Sequence, residues 1–443
     1  MTILRAALGL AFFCAVAWAL SSDRRRVNLR VVLGGIGLQL FLAVLILRTG
    51  PGRAFLDGLS KFATAVLGFG QDGARMVFGD LLTGFRHAPE AAEGAPPEAF
   101  ALYPTFPAQH LVDGGSIDIV SFAFGPLATI IYFSALMAIL YHLGIVQLLV
   151  RGLATLMRAT LRVSGAESLA MAANVFVGQT EAPLVVRPYV PRMTRSELMA
   201  LMTGGFATIA GSVLAAYIGI LGDGAAGDLL AASFMSAPAA FVMAKIMVPE
   251  TEEPLTAGAI QVRESELEEG EGRPTNVLDA AARGTSEGLK LYLNVVAMLI
   301  AFVAIVALIN AGLELIPVGE GDPPLSLQRI LGFVFYPVAW VMGVASADCL
   351  AFGSLLGTKV AVNEFIAFGD LGNMRDVLSE RSFRMASFAL CGFANFASIG
   401  IQLGGIGAIA EGRRGDLSRL ALRAMLGGAF ASWMTATIAG MFL

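Results

Sequence analysis

The sequence predicts an all-α polytopic membrane protein: eight transmembrane helices plus two re-entrant helical hairpins, arranged as an inverted repeat. Three observations carry this. Charged residues are only 14% of the 443-residue chain against 56% AVILMFWYC, and the mean hydropathy is +0.73; soluble domains carry about a quarter charged residues. Eight uncharged runs approach or exceed the roughly 20 residues needed to cross a hydrocarbon core. Two further apolar stretches are broken by Gly, Pro, charged side chains and carboxylates, which is tolerated at membrane depth only where the freed backbone is enclosed by protein or lines a cavity.

The first run, 6–22, imitates a signal peptide, but its apolar core is long, no A-x-A site follows and Arg24, Arg25 and Arg26 come next, so it reads as a retained span. The second run is 31–47. Phe55, Leu59, Phe62, Val66 and Phe69 then recur at helical spacing with Asp57 and Lys61 off that face. That pattern fits an interfacial amphipathic helix or one packed on the bundle. Arg86–Asp118, rich in Pro, Ala and Glu, reads as an outside loop, and residues 1–118 are expected on the scaffold side. The third run, 119–150, with a following interfacial helix, makes a scaffold unit 119–163.

The first hairpin, from about Glu167 to Val190, is interrupted by Glu181, Pro183 and Arg187. With the runs 198–222 and 229–244 it forms transport repeat 1, residues 164–248. Glu250–Glu271, glutamate-rich with Arg263 as its single cation, reads as a disordered cytoplasmic loop. It opens a unit 249–326 that also holds an interfacial helix and the run 291–313. The second hairpin, about Ile330 to Phe368, is interrupted by Asp348, Gly353, Gly357, Lys359 and Glu364; the runs 385–410 and 424–443 complete transport repeat 2, residues 327–443. Each hairpin is thus followed by two spans, and an odd number of spans separates the hairpins. The second unit is therefore inverted, the sequence mark of a secondary transporter with its site near the midplane.

Arginine and lysine concentrate in the segments 23–30, 151–162, 187–195, 245–290 and 413–423. The positive-inside rule then places both termini outside, in a multi-pass protein of the cytoplasmic (inner) membrane. The net charge of −4, without a basic block, argues against a nucleic-acid partner. Three scattered cysteines form neither a disulfide framework nor a metal spacing. No H-E-x-x-H or G-x-S-x-G is present, so an embedded enzyme is disfavoured, and inverted broken hairpins argue against a channel.

Intramembrane carboxylates are costly, about 2.5–3.5 kcal/mol or more each. Glu181 follows Gln179 and Thr180 between the helix breakers Gly178 and Pro183, so an amide, a hydroxyl and a carboxylate meet at one break. Such a set reads a polar ligand with donor and acceptor edges; the plainer role is to satisfy open helix ends. Glu364, acceptor-only when ionised, suits a vicinal diol, with an ion pair to Lys359 as its plainer role. Asp348 reads as a cap for the hairpin's second half-helix. Asn395 and Ser398, three apart in the seventh span, share a helix face.

The strings G-Q-T-E-A-P (178–183), A-T-I-A-G-S (207–212), G-T-K-x-x-x-N-E-F (357–365) and C-G-F-A-N-F-A-S-I-G (391–400) together resemble the concentrative nucleoside transporter family, in the family's order over residues 120–440. The resemblance implies an elevator-type carrier, assembled as a homotrimer, for nucleosides of the uridine and adenosine class. It implies that Gln179, Thr180, Glu181 and Val213 contact the nucleobase. Glu364, Asn395 and Ser398 would hold the ribose hydroxyls, and Phe393 would line the pocket. It implies Na+ ligands at Asn174 and Thr208 by side chain and at Val177 and Ile209 by carbonyl, with Na+ as co-transported ion and no other cofactor. Asn174 and Thr208 favour sodium coupling; a proton-coupled symporter in which Glu181 or Glu364 titrates is the alternative. The chain departs from the family pattern at Ala345-Ser-Ala347, where many members carry a tryptophan-containing run, and at Phe368, a common Tyr.

Overall fold

The computed structural model describes residues 2–83, 124, 127–222, 224–257, 274–316, 318 and 324–443. The expected outside loop 86–118, the start of the third run and most of the acidic loop lie outside the described residues. All regular structure among the described residues is helical.

Helices α1 (Thr2–Ala19), α2 (Leu29–Arg48) and α3 (Gly50–Thr83) come first. Asn28 caps α2 by accepting from Arg30 N. In α3, Asp57 and Lys61 are exposed, as the amphipathic pattern requires. Helices α1 and α2 pack on α10 (Ala225–Met247) and on the last helix, which close the two repeats.

From α4 onward the chain runs through the same series twice. The first is α4 (Thr129–His142), α5 (Ile145–Leu161), α6 (Gly165–Asn174), α7 (Ala182–Val185), α8 (Arg195–Ala207), α9 (Gly211–Leu221) and α10. The second is α11 (Val277–Leu313), α12 (Leu327–Val341), α13 (Cys349–Ala361), α14 (Glu364–Gly372), α15 (Glu380–Leu390), α16 (Phe396–Ile409) and α17 (Arg414–Ala439). In each, a long or bent helix leads into a hairpin, a broken span and a closing helix. The α4–α5 pair bends by 75°, because Gly144 enters the left-handed region at φ +82°.

Ion pairs repeat the symmetry. Arg195, at the start of α8, meets Asp416 in the first turn of α17 at 3.0 Å. Arg384 in α15 meets Asp228 in the first turn of α10 with two bonds of 2.7 Å. Ser196, beside Arg195, bonds the carbonyl of Val248 at the far end of α10 from Asp228. The two pairs therefore sit at opposite ends of the bundle, as an inversion demands.

Helices α2, α10 and α11 are each long and apolar enough to cross a membrane unaided. Two of the expected spans are instead split. The run 198–222 unwinds at Thr208–Ala210, and 385–410 unwinds at Cys391–Asn395. Conversely, the interfacial helix and sixth span expected within 249–326 are one continuous helix, the 37-residue α11. It packs along α4 through Gly284 and Gly288, where an added Cβ would lie 2.6 Å from Ala138 Cβ and 2.8 Å from Ser134 Cβ. Only glycine allows that approach.

Candidate functional site

Helix α6 starts with a capping box, Ser164 with Glu167, and ends at Asn174. The chain then turns through Val175–Glu181, with Gly178 in the turn, and Pro183 sits in the first turn of α7, where its missing N–H costs no helix bond. Glu181 Oε2 accepts from Gly178 N at 2.6 Å, and a Cβ at Gly178 would lie 2.6 Å from that oxygen and 2.9 Å from Ala210 Cβ. The tip docks on the first broken span, where Gly211 N donates to Phe176 O at 3.1 Å. Thr208 caps α8 in extended conformation, and its Oγ1 donates to Gly204 O at 3.0 Å.

Asn174 and Thr208 each lie against Gly204 at this junction. Asn174 is 1% exposed, and neither its Oδ1 nor its Nδ2 has a hydrogen-bond partner. Its Nδ2 lies 3.1 Å from where a Cβ would stand at Gly204. An orphaned buried amide costs about 1–3 kcal/mol. The side-chain oxygens of Asn174 and Thr208 are hard donors of the kind that suits an alkali cation. Of the expected cation ligands, Asn174 and Thr208 each approach Gly204 of α8; Val177 lies in the hairpin tip and buried Ile209 in the break.

The second hairpin turns at Val362–Asn363. Asn363 caps α14 by accepting from Ile366 N at 2.9 Å, which places Glu364 at the helix start. Glu364 is 4% exposed. Its Oε1 accepts from Tyr217 Oη at 3.1 Å and its Oε2 from Asn395 Nδ2 at 2.7 Å. Asn395 is fixed in turn, because its Oδ1 caps α16 by accepting from Ser398 N at 2.8 Å. Asn395 and Ser398 therefore do not share a helix face as expected: Asn395 precedes the helix, and the cap brings them together. Nor does Glu364 pair with Lys359, whose Nζ donates to Ala389 O at 2.9 Å. Asp348 likewise makes no cap bond. Its Oδ2 accepts from Ser379 Oγ at 2.6 Å, tying α13 to the start of α15.

The half-sites connect through α9 and α16. Val213 is buried one turn before Tyr217 on α9, and Tyr217 stacks on Phe368 with ring centroids 4.3 Å apart. Gln179 Oε1 accepts from Gln402 Nε2 of α16 at 3.1 Å. Phe393 lies in the second break, beside Gly392, whose φ of +142° brings it onto the end of α8. One α17 hydroxyl, Ser432 Oγ, lies 2.9 Å from Cys391 O and 3.4 Å from Ala207 O, bridging the two breaks. Sequence reasoning missed Tyr217 and Gln402, lone polar groups in apolar runs with no local motif.

Thr180 and Glu181 are accessible, and Glu181 faces a cavity of about 360 Å³. Its walls are the first hairpin tip, the first break, α4 and the polar start of α11, where Arg283 and Glu287 stand. The Glu364 group does not line this cavity. The arrangement has two polar clusters on hairpin tips, each braced by a broken span, the second buried and the first open to the cavity at Thr180 and Glu181.

Comparison with known proteins follows the same geometry. Models described as the Na+ dependent nucleoside transporter N-terminus and C-terminus match residues 8–81 and 228–440. A gate domain described as nucleoside recognition matches 123–224. An uncharacterized transporter of Haemophilus influenzae is 40% identical over 100% of this chain and 98% of its own length. The rat sodium/nucleoside cotransporter 1 is 37% identical over 98% of this chain and 63% of its own length. Among solved structures, CNTnw in an inward-facing substrate-bound state is 39% identical, with a TM-score of 0.85 over 100% of this chain and 98% of that one. A variant of CNTnw in an outward-facing state is also 39% identical, with a TM-score of 0.86 over 100% of this chain and 98% of that one.

Proposed function

Since this chain belongs to the Na+-dependent nucleoside transporter family, membrane carriers and not enzymes, we propose that it is a Na+-coupled symporter that takes up nucleosides by an elevator-type movement. The observation that carries the sodium reading is the buried Asn174 amide without a partner, set beside Thr208 and an unwound tip. A cation there would tie the tip to the first break, and Gln179, Thr180 and Glu181 follow on the same tip. Ion and nucleobase would then order one element, which is how a downhill ion raises affinity for its co-substrate.

In this reading Gln179, Thr180, Glu181 and Val213 face the base. Glu364, Asn395 and Ser398 take the ribose hydroxyls as acceptor, donor and hydroxyl, with Phe393 against the ring. Gln402 and Tyr217 hold Gln179 and Glu364 in place. The moving body comprises both hairpins, both broken spans and α10 and α17, with α1 and α2 carried on it. Helices α4 and α11 form the fixed wall, within a homotrimer in the inner membrane with both termini outside. Uptake of labelled uridine and adenosine into proteoliposomes tests the core of this: an inward sodium gradient should drive accumulation. Accumulation driven by a proton gradient and indifferent to sodium would replace sodium with the proton.

A further inference from the structure

Lys359 is a fully buried ammonium that makes no ion pair with Glu364 and has a single acceptor. Its place in the fold explains it. Pairing the two series puts α6 opposite α13 and α8 opposite α15. Asn174 ends α6, and Lys359 lies in the last turn of α13. Asn174 sits beside Gly204, near the C-terminal end of α8, just before the first break. Lys359 Nζ reaches Ala389 O, near the C-terminal end of α15, just before the second break.

The end of a helix leaves carbonyls without partners and carries partial negative charge. Both breaks thus offer a buried cation position between hairpin and helix end. At the first, the hairpin supplies a neutral amide with two unpartnered atoms. At the second it supplies a charge of its own. A buried lone ammonium is expensive, and here it spends one of its three protons on a helix-end carbonyl.

We propose that the Lys359 ammonium is a tethered cation, occupying in the second repeat the position that the first repeat leaves for a transported ion. This rests on the sodium reading of Asn174 and Thr208. Its effect is to hold the second break, with Phe393 and Asn395, in binding geometry whether or not an ion is present. Only the first break then depends on an ion, and the carrier binds one cation with each nucleoside.

The test is uridine binding to the purified full-length protein in nanodiscs, titrated with Na+ against choline. The wild type should show a Hill coefficient for Na+ of about 1. Lys359→Met should weaken uridine binding about tenfold or more at saturating Na+ while leaving that coefficient unchanged. Lys359→Ser, which opens space and adds a hydroxyl at the Ala389 carbonyl, should recover affinity at high Na+ with a coefficient rising towards 2. A wild-type coefficient near 2, which needs no variant to measure, would overturn the proposal. So would unchanged affinity in Lys359→Met, or a Lys359→Ser variant lacking the second sodium dependence. Sodium-independent binding by the wild type would instead remove the reading of the first repeat, and Lys359→Met would still report on the ammonium alone.

Discussion

Replacing Glu364 with Gln isolates one charge at the centre of the second half-site. The carboxylate accepts from Tyr217 Oη at 3.1 Å and from Asn395 Nδ2 at 2.7 Å. Asn395 cannot turn over to suit an amide without losing its cap bond to Ser398 N. The introduced amide would therefore present its oxygen to Asn395 and its NH2 to Tyr217, whose hydroxyl can rotate to accept. The internal contacts survive, so the fold should as well. What disappears is the charge-assisted acceptor that the proposed function assigns to a ribose hydroxyl. One such bond contributes about 1.5–3 kcal/mol, which converts to a loss of about 10- to 150-fold in nucleoside affinity at about 1.4 kcal/mol per decade. Calorimetry of uridine binding to the purified variant in sodium reads this directly, and a thermal melt reports the fold. Binding within about threefold of wild type, with an unchanged melt, would show that Glu364 only braces the hairpin.

Replacing both Asn174 and Thr208 with Ala should lower uridine binding in sodium to the wild-type level in choline, although neither is among the proposed substrate contacts; calorimetry in the two buffers checks it, and linkage requires it. For topology, single cysteines at Ser22 and Ala95 in a cysteine-free background should differ on intact cells, an impermeant maleimide labelling Ala95 and sparing Ser22. Asp416 supplies a pH test ahead of the last apolar run. Partial burial pushes its carboxyl up, but hydrogen bonds from Arg195 and Arg413 more than offset this and hold it below the ordinary aspartate value. A depressed folded pKa contributes stability that is fully present above the unfolded value, about 3.9, and is lost as pH falls through the folded one. The melting difference between wild type and Asp416→Asn should be constant from about pH 5 to 7 and shrink below about pH 4.

Hydropathy and the interrupted hairpins made the helical class, the membrane location and the repeat legible. The carboxylates Glu181 and Glu364 were also legible, because a charge at that depth is too costly to be incidental. The breaks in 198–222 and 385–410 were not, since both runs are uncharged from end to end. Their unwound groups are satisfied from other elements: Gly211 N by Phe176 O, and Cys391 O by Ser432 Oγ. Such long-range bonds leave no local pattern. For the same reason Tyr217 and Gln402 passed as ordinary span residues, and the ion pair with Lys359 that was the plainer role for Glu364 gave way to partners 30 and 31 positions away.

Helix α11 has 37 residues, a length of about 55 Å, against a hydrocarbon core of about 30 Å. Its uncharged part, 291–313, matches the core alone. The preceding turns carry Asp279, Arg283, Glu287 and Lys290, and Arg283, Gly284 and Glu287 wall the cavity at Glu181. One helix thereby separates two dimensions that a shorter one would couple. Lipid thickness acts on 291–313, while the depth of the aqueous vestibule is set by the stretch that lipid tails never reach. In thinner or thicker bilayers the protein would tilt or recruit different lipids around its waist, and the passage to the first hairpin would keep its shape.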